Sequence, residues 1–258
     1  MSIFPLQNAA LRYLEKVSPT RDAPRIGLRA RRVQRMSTRH YSDARLQHGI
    51  APLPRGPLGE AARDLGKRVF DFVASAIALC ALAPLLVFIA LLVKATSPGP
   101  ILFKQVRTGL RGNPFVILKF RTMNVQERGE PVVQAQRGDQ RLTPIGNFLR
   151  SSSLDELPQF LNVVLGEMSI VGPRPHALVH DVHYGSMIPT YVERFRVRPG
   201  ITGFAQCNGA RGPTETLDKM RRRVRLDVAY VERWSWAMEM KIIAKTVKVL
   251  IGGDDTAF

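Results

Sequence analysis

The sequence predicts a mixed α/β fold, mostly helical: a small cytoplasmic domain preceded by one apolar membrane segment and carrying amphipathic helices suited to the membrane interface. Three observations lead there. Phe72 to Val93 is a run of 22 residues without a charge; apolar residues recur at helical spacing through 154–165 and 217–234; and two short stretches, ILFKQVR and FVILKFRTM, read as strands. With 258 residues, 45% apolar and only two cysteines, the chain has room for one sizeable core plus an extension. It is neither a disulfide-stapled secreted scaffold nor a disordered polymer.

Charge narrows the partners. Lys and Arg number 38 against 21 Asp and Glu, a formal charge of +17, which demands nucleic acid, a membrane surface or a phosphorylated substrate. Residues 1–68 hold 14 basic and 5 acidic groups and residues 94–258 hold 24 and 15, so each region is +9 and the stretch between them −1.

Three parts follow in order: a basic extension over 1–66, a membrane segment over 67–94 and a domain over 95–258. In the extension, Leu6, Ala10, Leu14 and Val17 share one helical face, and residues 18–59 mix Pro, Gly and Arg without periodicity. This basic tether lacks the aromatic interleaving of a nucleic-acid arm, so anionic inner-membrane lipid is its expected partner and no nucleic acid is expected.

The uncharged run reaches roughly 33 Å as a straight helix, against a hydrocarbon core of about 30 Å. Pro84 sits inside it, removes one backbone hydrogen bond and crowds the carbonyl of Cys80. Only about 18 Å of helix precedes that proline. Basic residues flank both ends, and the positive-inside rule holds both flanks in the cytoplasm. Two topologies satisfy these facts: a re-entrant hairpin that bends at Pro84, or a kinked single span. Cys80 and Cys207 are expected as free thiols.

The domain opens on the turn Ser97 to Pro100, followed by the two strands joined through Thr108 to Pro114, and then a polar loop over 124–140. Leu154, Leu157, Leu161, Val164 and Leu165 predict an amphipathic helix with Asp155 and Glu156 side by side near its start. Two readings of that pair stand. Ser153 to Glu156 fits an S-x-x-E capping box, although Pro158 would kink or shift the helix start. Alternatively the pair is reactive, because basic residues surround it in sequence. Arg150 precedes Asp155 by five residues, Arg174 lies in a rigid Pro-Arg-Pro, Lys119 and Arg121 end a strand, and Arg196 and Arg198 precede Pro199-Gly200. A guanidinium held between prolines suits phosphate, and together these residues indicate a phosphate-handling site. Towards the C-terminus, Leu217, Met220, Val224, Val228, Val231 and Trp234 form an apolar stripe, with Lys219, Arg221, Arg222, Arg223 and Arg225 crowding the other surface. Met238, Ile242, Ile243, Val247, Leu250 and Ile251 predict a further helix.

These residues carry a resemblance. From about Gly66 to Phe258 the chain resembles bacterial sugar transferases, the monotopic polyprenyl-phosphate phosphoglycosyl transferases of the undecaprenyl-phosphate hexose phosphotransferase type. The matching pieces are KRVFDF (67–72), SPGPILFKQVRTG (97–109), LKFRTM (118–123), LRSSSLDELPQFLNVVLGEMSIVGPRP (149–175), RVRPGITGFAQ (196–206) and TLDKM to the C-terminus. The WSW of Trp234 to Trp236 resembles members acting on hexoses for exopolysaccharide or capsule synthesis. The resemblance implies transfer of hexose 1-phosphate from UDP-glucose or UDP-galactose to undecaprenyl phosphate in the inner membrane, with release of UMP. It implies Asp155 and Glu156 as the catalytic dyad, with Asp155 as covalent nucleophile and Mg²⁺ ligand and Glu156 orienting or deprotonating the lipid phosphate. Arg150 and Arg174 are implied as substrate-binding, with Lys119, Arg121 and Arg198 supporting. It also favours the hairpin, because an interfacial site must meet a phosphate at headgroup depth; where the family has Ser-Pro at the bend, this chain has Ala83-Pro84. A homo-oligomer is left open. A nucleotide-sugar DxD metal motif is absent, which argues against transfer of the sugar alone.

Overall fold

The computed structural model describes residues 58–124, 139–212, 214 and 216–252. The basic tether and most of the polar loop expected over 124–140 lie outside the described residues.

Helix α1 runs from Leu58 to Thr96 without interruption, 39 residues with Pro84 inside. It therefore reaches back into the segment assigned to the extension. Its stretch Asp64–Thr96 is long and apolar enough to cross a membrane, and Val73, Ile77, Val87, Phe88 and Leu91 are exposed along it. The residues it buries lie on both sides of Pro84: Asp71 and Ser75 before it, Ile89 and Val93 after it.

The two predicted strands form an antiparallel hairpin, β1 (Leu102–Thr108) and β2 (Pro114–Phe120), in which Phe103 faces Lys119 and Arg107 faces Phe115. The connection turns through Arg111 at φ 55° and Gly112 at φ 76°. Because side chains alternate along a strand, Phe115, Ile117 and Lys119 share one face with their partners Arg107, Gln105 and Phe103. Phe115 and Ile117 pack on Val163 and Met168, while Phe120, on the opposite face, joins Ile89, Val93 and Leu149.

The single amphipathic helix expected over 154–165 is broken into pieces. Helix α2 (Gly146–Ser151) is followed by a 3₁₀ turn, Leu154–Glu156, and then by α3 (Gln159–Val164). The capping box does not form: Ser153 is left-handed at φ 58°, makes no cap bond, and its Oγ accepts from Arg211 Nη2 at 2.8 Å. Pro158 directly precedes α3, where a missing N–H costs nothing.

Two parallel strands of three residues, β3 (Ser169–Val171) and β4 (Gly200–Thr202), were not anticipated. At three residues each they are too short to show a period of two. Helices α4 (Leu178–Gly185), α5 (Phe204–Cys207), α6 (Leu217–Arg233) and α7 (Trp236–Gly252), with a 3₁₀ segment Pro189–Arg196, complete the described chain. The apolar stripe of α6 is buried as expected: Met220 and Val224 pack on Ile188, Tyr191 and Phe195. Arg223, placed by periodicity on the outer surface, is instead buried and donates to the carbonyls of Ala210 (3.0 Å) and Gly212 (2.6 Å). Both cysteines are free.

Candidate active site

The 3₁₀ turn sets the dyad between the β-hairpin and the Pro-Arg-Pro loop. Asp155 is buried, 7% exposed. Glu156 is gripped from two sides. Lys119 Nζ, projecting from the hairpin face, donates to its Oε1 at 2.6 Å, and Arg174 makes a forked bond, Nη1 to Oε2 at 3.0 Å and Nη2 to Oε1. Lys119 also stands 4.0 Å from Asp155 Oδ2.

The two carboxyls therefore differ in proton affinity. Burial pushes Asp155 up to about 6, against the opposing pull of Lys119 and with a further push from Glu156. Burial acts on Glu156 too, but Arg174 and Lys119 outweigh it and hold that carboxyl well below the usual range. One environment thus yields a locked carboxylate and a neighbour that ionises just below neutrality, the division of labour seen where paired acids do chemistry.

Arg150 lies close enough to favour the charged form of Asp155. Its Nη1 meets the Met123 sulfur at 3.9 Å, and it makes no ion pair among the described residues. Asp155, Glu156, Arg150, Arg174 and Lys119 are thus brought together. Arg121 and Arg198 are not. Arg121 is buried and spends its guanidinium on the Ser97 and Pro98 carbonyls at the end of α1. Arg198 binds Gly166 O at 3.1 Å and Asp64 at 2.6 Å, joining α1 to the domain. Both are framework residues.

Sequence reasoning missed what stands behind Arg174. Arg194, 3% exposed, sends Nη2 to the Arg174 carbonyl (2.7 Å), Nε to Asp227 Oδ2 (2.7 Å) and Nη1 towards His176 Nδ1 (3.1 Å). His176 in turn meets Tyr191 Oη at 2.6 Å, and Tyr191 donates to Asp181 at 2.7 Å. Burial, with Arg194 and Arg223 adjacent, holds His176 well below its ordinary value; burial pushes Asp181 up to about 6. Two of the three Pro-Arg-Pro carbonyls are secured from outside, Pro173 by the Gly200 amide (3.0 Å) and Arg174 by Arg194, while Arg107 Nη1 reaches that of Pro175 only at 3.4 Å. The sequence signal for this, a basic and an acidic residue 33 apart on separate elements, carries no local period.

Comparison with known proteins settles the lineage. The family model for bacterial sugar transferases matches residues 62–253. The chain belongs to the bacterial sugar transferase family. This sugar transferase is 52% identical over 202 residues to the UDP-glucose:undecaprenyl-phosphate glucose-1-phosphate transferase of Caulobacter vibrioides, covering 78% of this chain and 76% of that one. It is 50% identical over 198 residues to the Escherichia coli protein of the same name, covering 77% of this chain but 42% of that longer one. An exopolysaccharide production protein of Rhizobium leguminosarum is 46% identical over 185 residues, covering 70% and 92%.

Proposed function

We propose that this sugar transferase moves glucose 1-phosphate from UDP-glucose to undecaprenyl phosphate, releasing UMP, through a covalent intermediate on Asp155, as the first step of exopolysaccharide or capsule assembly. The observation that carries the reading is the asymmetry of the dyad: Asp155 ionises near 6 while Glu156 is held charged by Arg174 and Lys119. An Asp155 carboxylate oxygen attacks the phosphorus bearing the glucose; the phosphoanhydride bond breaks and UMP leaves with its electron pair. An oxygen of the lipid phosphate then attacks the same phosphorus, the bond to Asp155 breaks and the carboxylate is restored. Glu156, already ionised and doubly bonded, orients Arg174 and Lys119 rather than taking up a proton. The glucose assignment follows the named relatives.

Mg²⁺ fits this donor set. Its usual protein share is one or two carboxylates, with substrate phosphates and water completing the shell. Asp155 is the carboxylate available, since Glu156 is committed to its two cations and the described residues contain no cluster of three His, Cys, Asp or Glu. When bound, the ion supplies neutralisation of the diphosphate charge.

The reading also places the chain on the cytoplasmic face of the inner membrane, with α1 re-entrant through a bend at Pro84 inside one helix rather than through a loop. Support comes from docking on both sides of the proline. Arg68 donates to the carbonyls of Val163 and Val164 (2.6 Å) and Asp71 accepts from the Ile170 amide (3.1 Å), while Ile89 and Val93 pack on Phe120 and Leu149 of the same domain. The test uses the full chain in detergent micelles with UDP-glucose, Mg²⁺ and undecaprenyl phosphate. UMP as product, abolished in D155N, is expected; UDP as product, or undiminished turnover by D155N, would sink the proposal.

A further inference from the structure

Beyond its long reach to the Pro175 carbonyl, Arg107 has no role among those described above. It sits near the end of β1 on the hairpin face that carries Lys119 towards the dyad. Its Nη2 bonds Gln105 Oε1, from the same face, at 2.5 Å, and Nη1 reaches the Pro175 carbonyl at 3.4 Å, a distance at which a neutral acceptor offers little. Its Nε is shut off from solvent and has no hydrogen-bond partner. Among the described residues no carboxylate forms an ion pair with it. Asp181 is near, but its oxygens are taken by the hydroxyls of Thr108 (2.5 Å) and Tyr191 (2.7 Å). Glu156 is near as well, and is committed to Arg174 and Lys119.

A partly buried guanidinium with one shielded, idle donor and no ion pair among the described residues is suited to an arriving anion. Burial first, then the charge of Arg174, pull Arg107 down to about 10, so a second cation stands within electrostatic reach. The charge balance agrees. Lys119, Arg150, Arg174 and Arg107 are four cations beside the three carboxylates Asp155, Glu156 and Asp181, and this basic excess favours an anionic ligand.

We propose that Arg107 is a substrate-binding residue that grips the diphosphate of the nucleotide sugar beside Arg174, with Gln105 holding its guanidinium in orientation. This rests on the nucleotide-sugar reading above. The alternative role, tightening the Pro-Arg-Pro loop through Pro175, would weaken every ligand and lower stability, so the experiment separates the two. Competition constants for UDP and for uridine are measured against UDP-glucose turnover by the full chain in micelles, for the wild type, R107Q and R107K, together with thermal midpoints. Removing a charge-assisted phosphate contact is expected to raise the KM for UDP-glucose and weaken UDP by about tenfold or more. Uridine, which has no phosphate, should bind as before, the midpoint should hold, and R107K should fall between wild type and R107Q. Equal weakening of UDP and uridine, or unchanged KM in both variants, overturns the assignment. Were R107Q not to fold, R107K decides by the same ratio. If the wild type releases no UMP, the reaction proposed above fails by itself, and direct titration with UDP still decides Arg107.

Discussion

Replacing Lys119 by Met removes the cation that Asp155 and Glu156 share while leaving the forked bond from Arg174 in place. The sign of the effect on Asp155 is fixed. Burial raises its pKa and Lys119 lowers it, so without the lysine the acid form is favoured further. At 4.0 Å, unit charges in an effective dielectric of about 20 interact by roughly 4 kcal/mol. The lysine side chain is 19% exposed, and solvent screening leaves about one to two pH units of that. The assay is the pH dependence of kcat/KM for UMP release from about pH 5 to 9, which reports groups of the free enzyme. In the wild type, activity should rise through a limb near 6 as Asp155 becomes the attacking carboxylate. In K119M the limb should move up to about 7–8, with about a two- to tenfold loss at neutral pH and recovery in alkali. K119R should return the limb towards its original place. If the acidic limb stays put in K119M, Lys119 does not tune Asp155 and the account of the dyad is wrong.

Three further outcomes follow from the framework. R194M leaves Asp227 charged and unpaired in the interior and should cost about 3–5 kcal/mol in thermal or denaturant unfolding, whereas the double variant R194M/D227L should recover part of it. Because His176 is held well below about 6.5, the unfolded chain binds a proton the folded chain refuses, so stability from this group is lost as pH falls below that value. H176Q should therefore melt below the wild type in mild alkali, with the gap in Tm narrowing as pH drops from about 7 to 5; a gap independent of pH would contradict the buried neutral imidazole. G172A places a methyl 2.4 Å from the Arg198 carbonyl and 2.9 Å from the Gly200 amide, and should destabilise the chain by more than about 2 kcal/mol, measured by its unfolding midpoint.

Which of these features were legible in sequence follows from the range over which each is encoded. The hairpin of β1 and β2 and the stripe of α6 are local periodicities, and both fold as read. The uncharged run likewise announces α1, whose helical state persists through Pro84. The Asp155–Glu156 pair was legible as two carboxylates ringed by cations, but it lies in a 3₁₀ turn rather than at the start of one helix. Ser153 adopts a left-handed conformation and bonds Arg211, 58 residues away, and a partner at that separation leaves no trace in a four-residue capping pattern. Arg223 fails for a related reason. A basic residue in a run of basic residues looks solvated, yet the carbonyls of Ala210 and Gly212 lie within its reach and draw it inward. Arg121 and Arg198 looked like phosphate ligands because composition does not distinguish a guanidinium that meets substrate from one that meets a carbonyl. The difference appears only when the end of α1 and the turn at Gly166 fill their donor sites.

The same bonds tie the apolar helix to the polar site. Helix α3 begins three residues after Glu156, and its last carbonyls, those of Val163 and Val164, are capped by Arg68 of α1. Beyond it, Asp71 holds the Ile170 amide at the start of the stretch leading to Pro-Arg-Pro, which carries Arg174 back to Glu156. The dyad is thus tied to α1 by two short paths, one through α3 and one through β3, with no long flexible loop between them. Were α1 seated in the bilayer as proposed, both paths would hold Asp155 close to one depth. The +17 of the chain then divides by function. Arg68 and Arg198 fasten the domain to the helix, and Arg150, Arg174 and Lys119 gather at the dyad, where the proposed reaction would bring a lipid phosphate and a nucleotide diphosphate together.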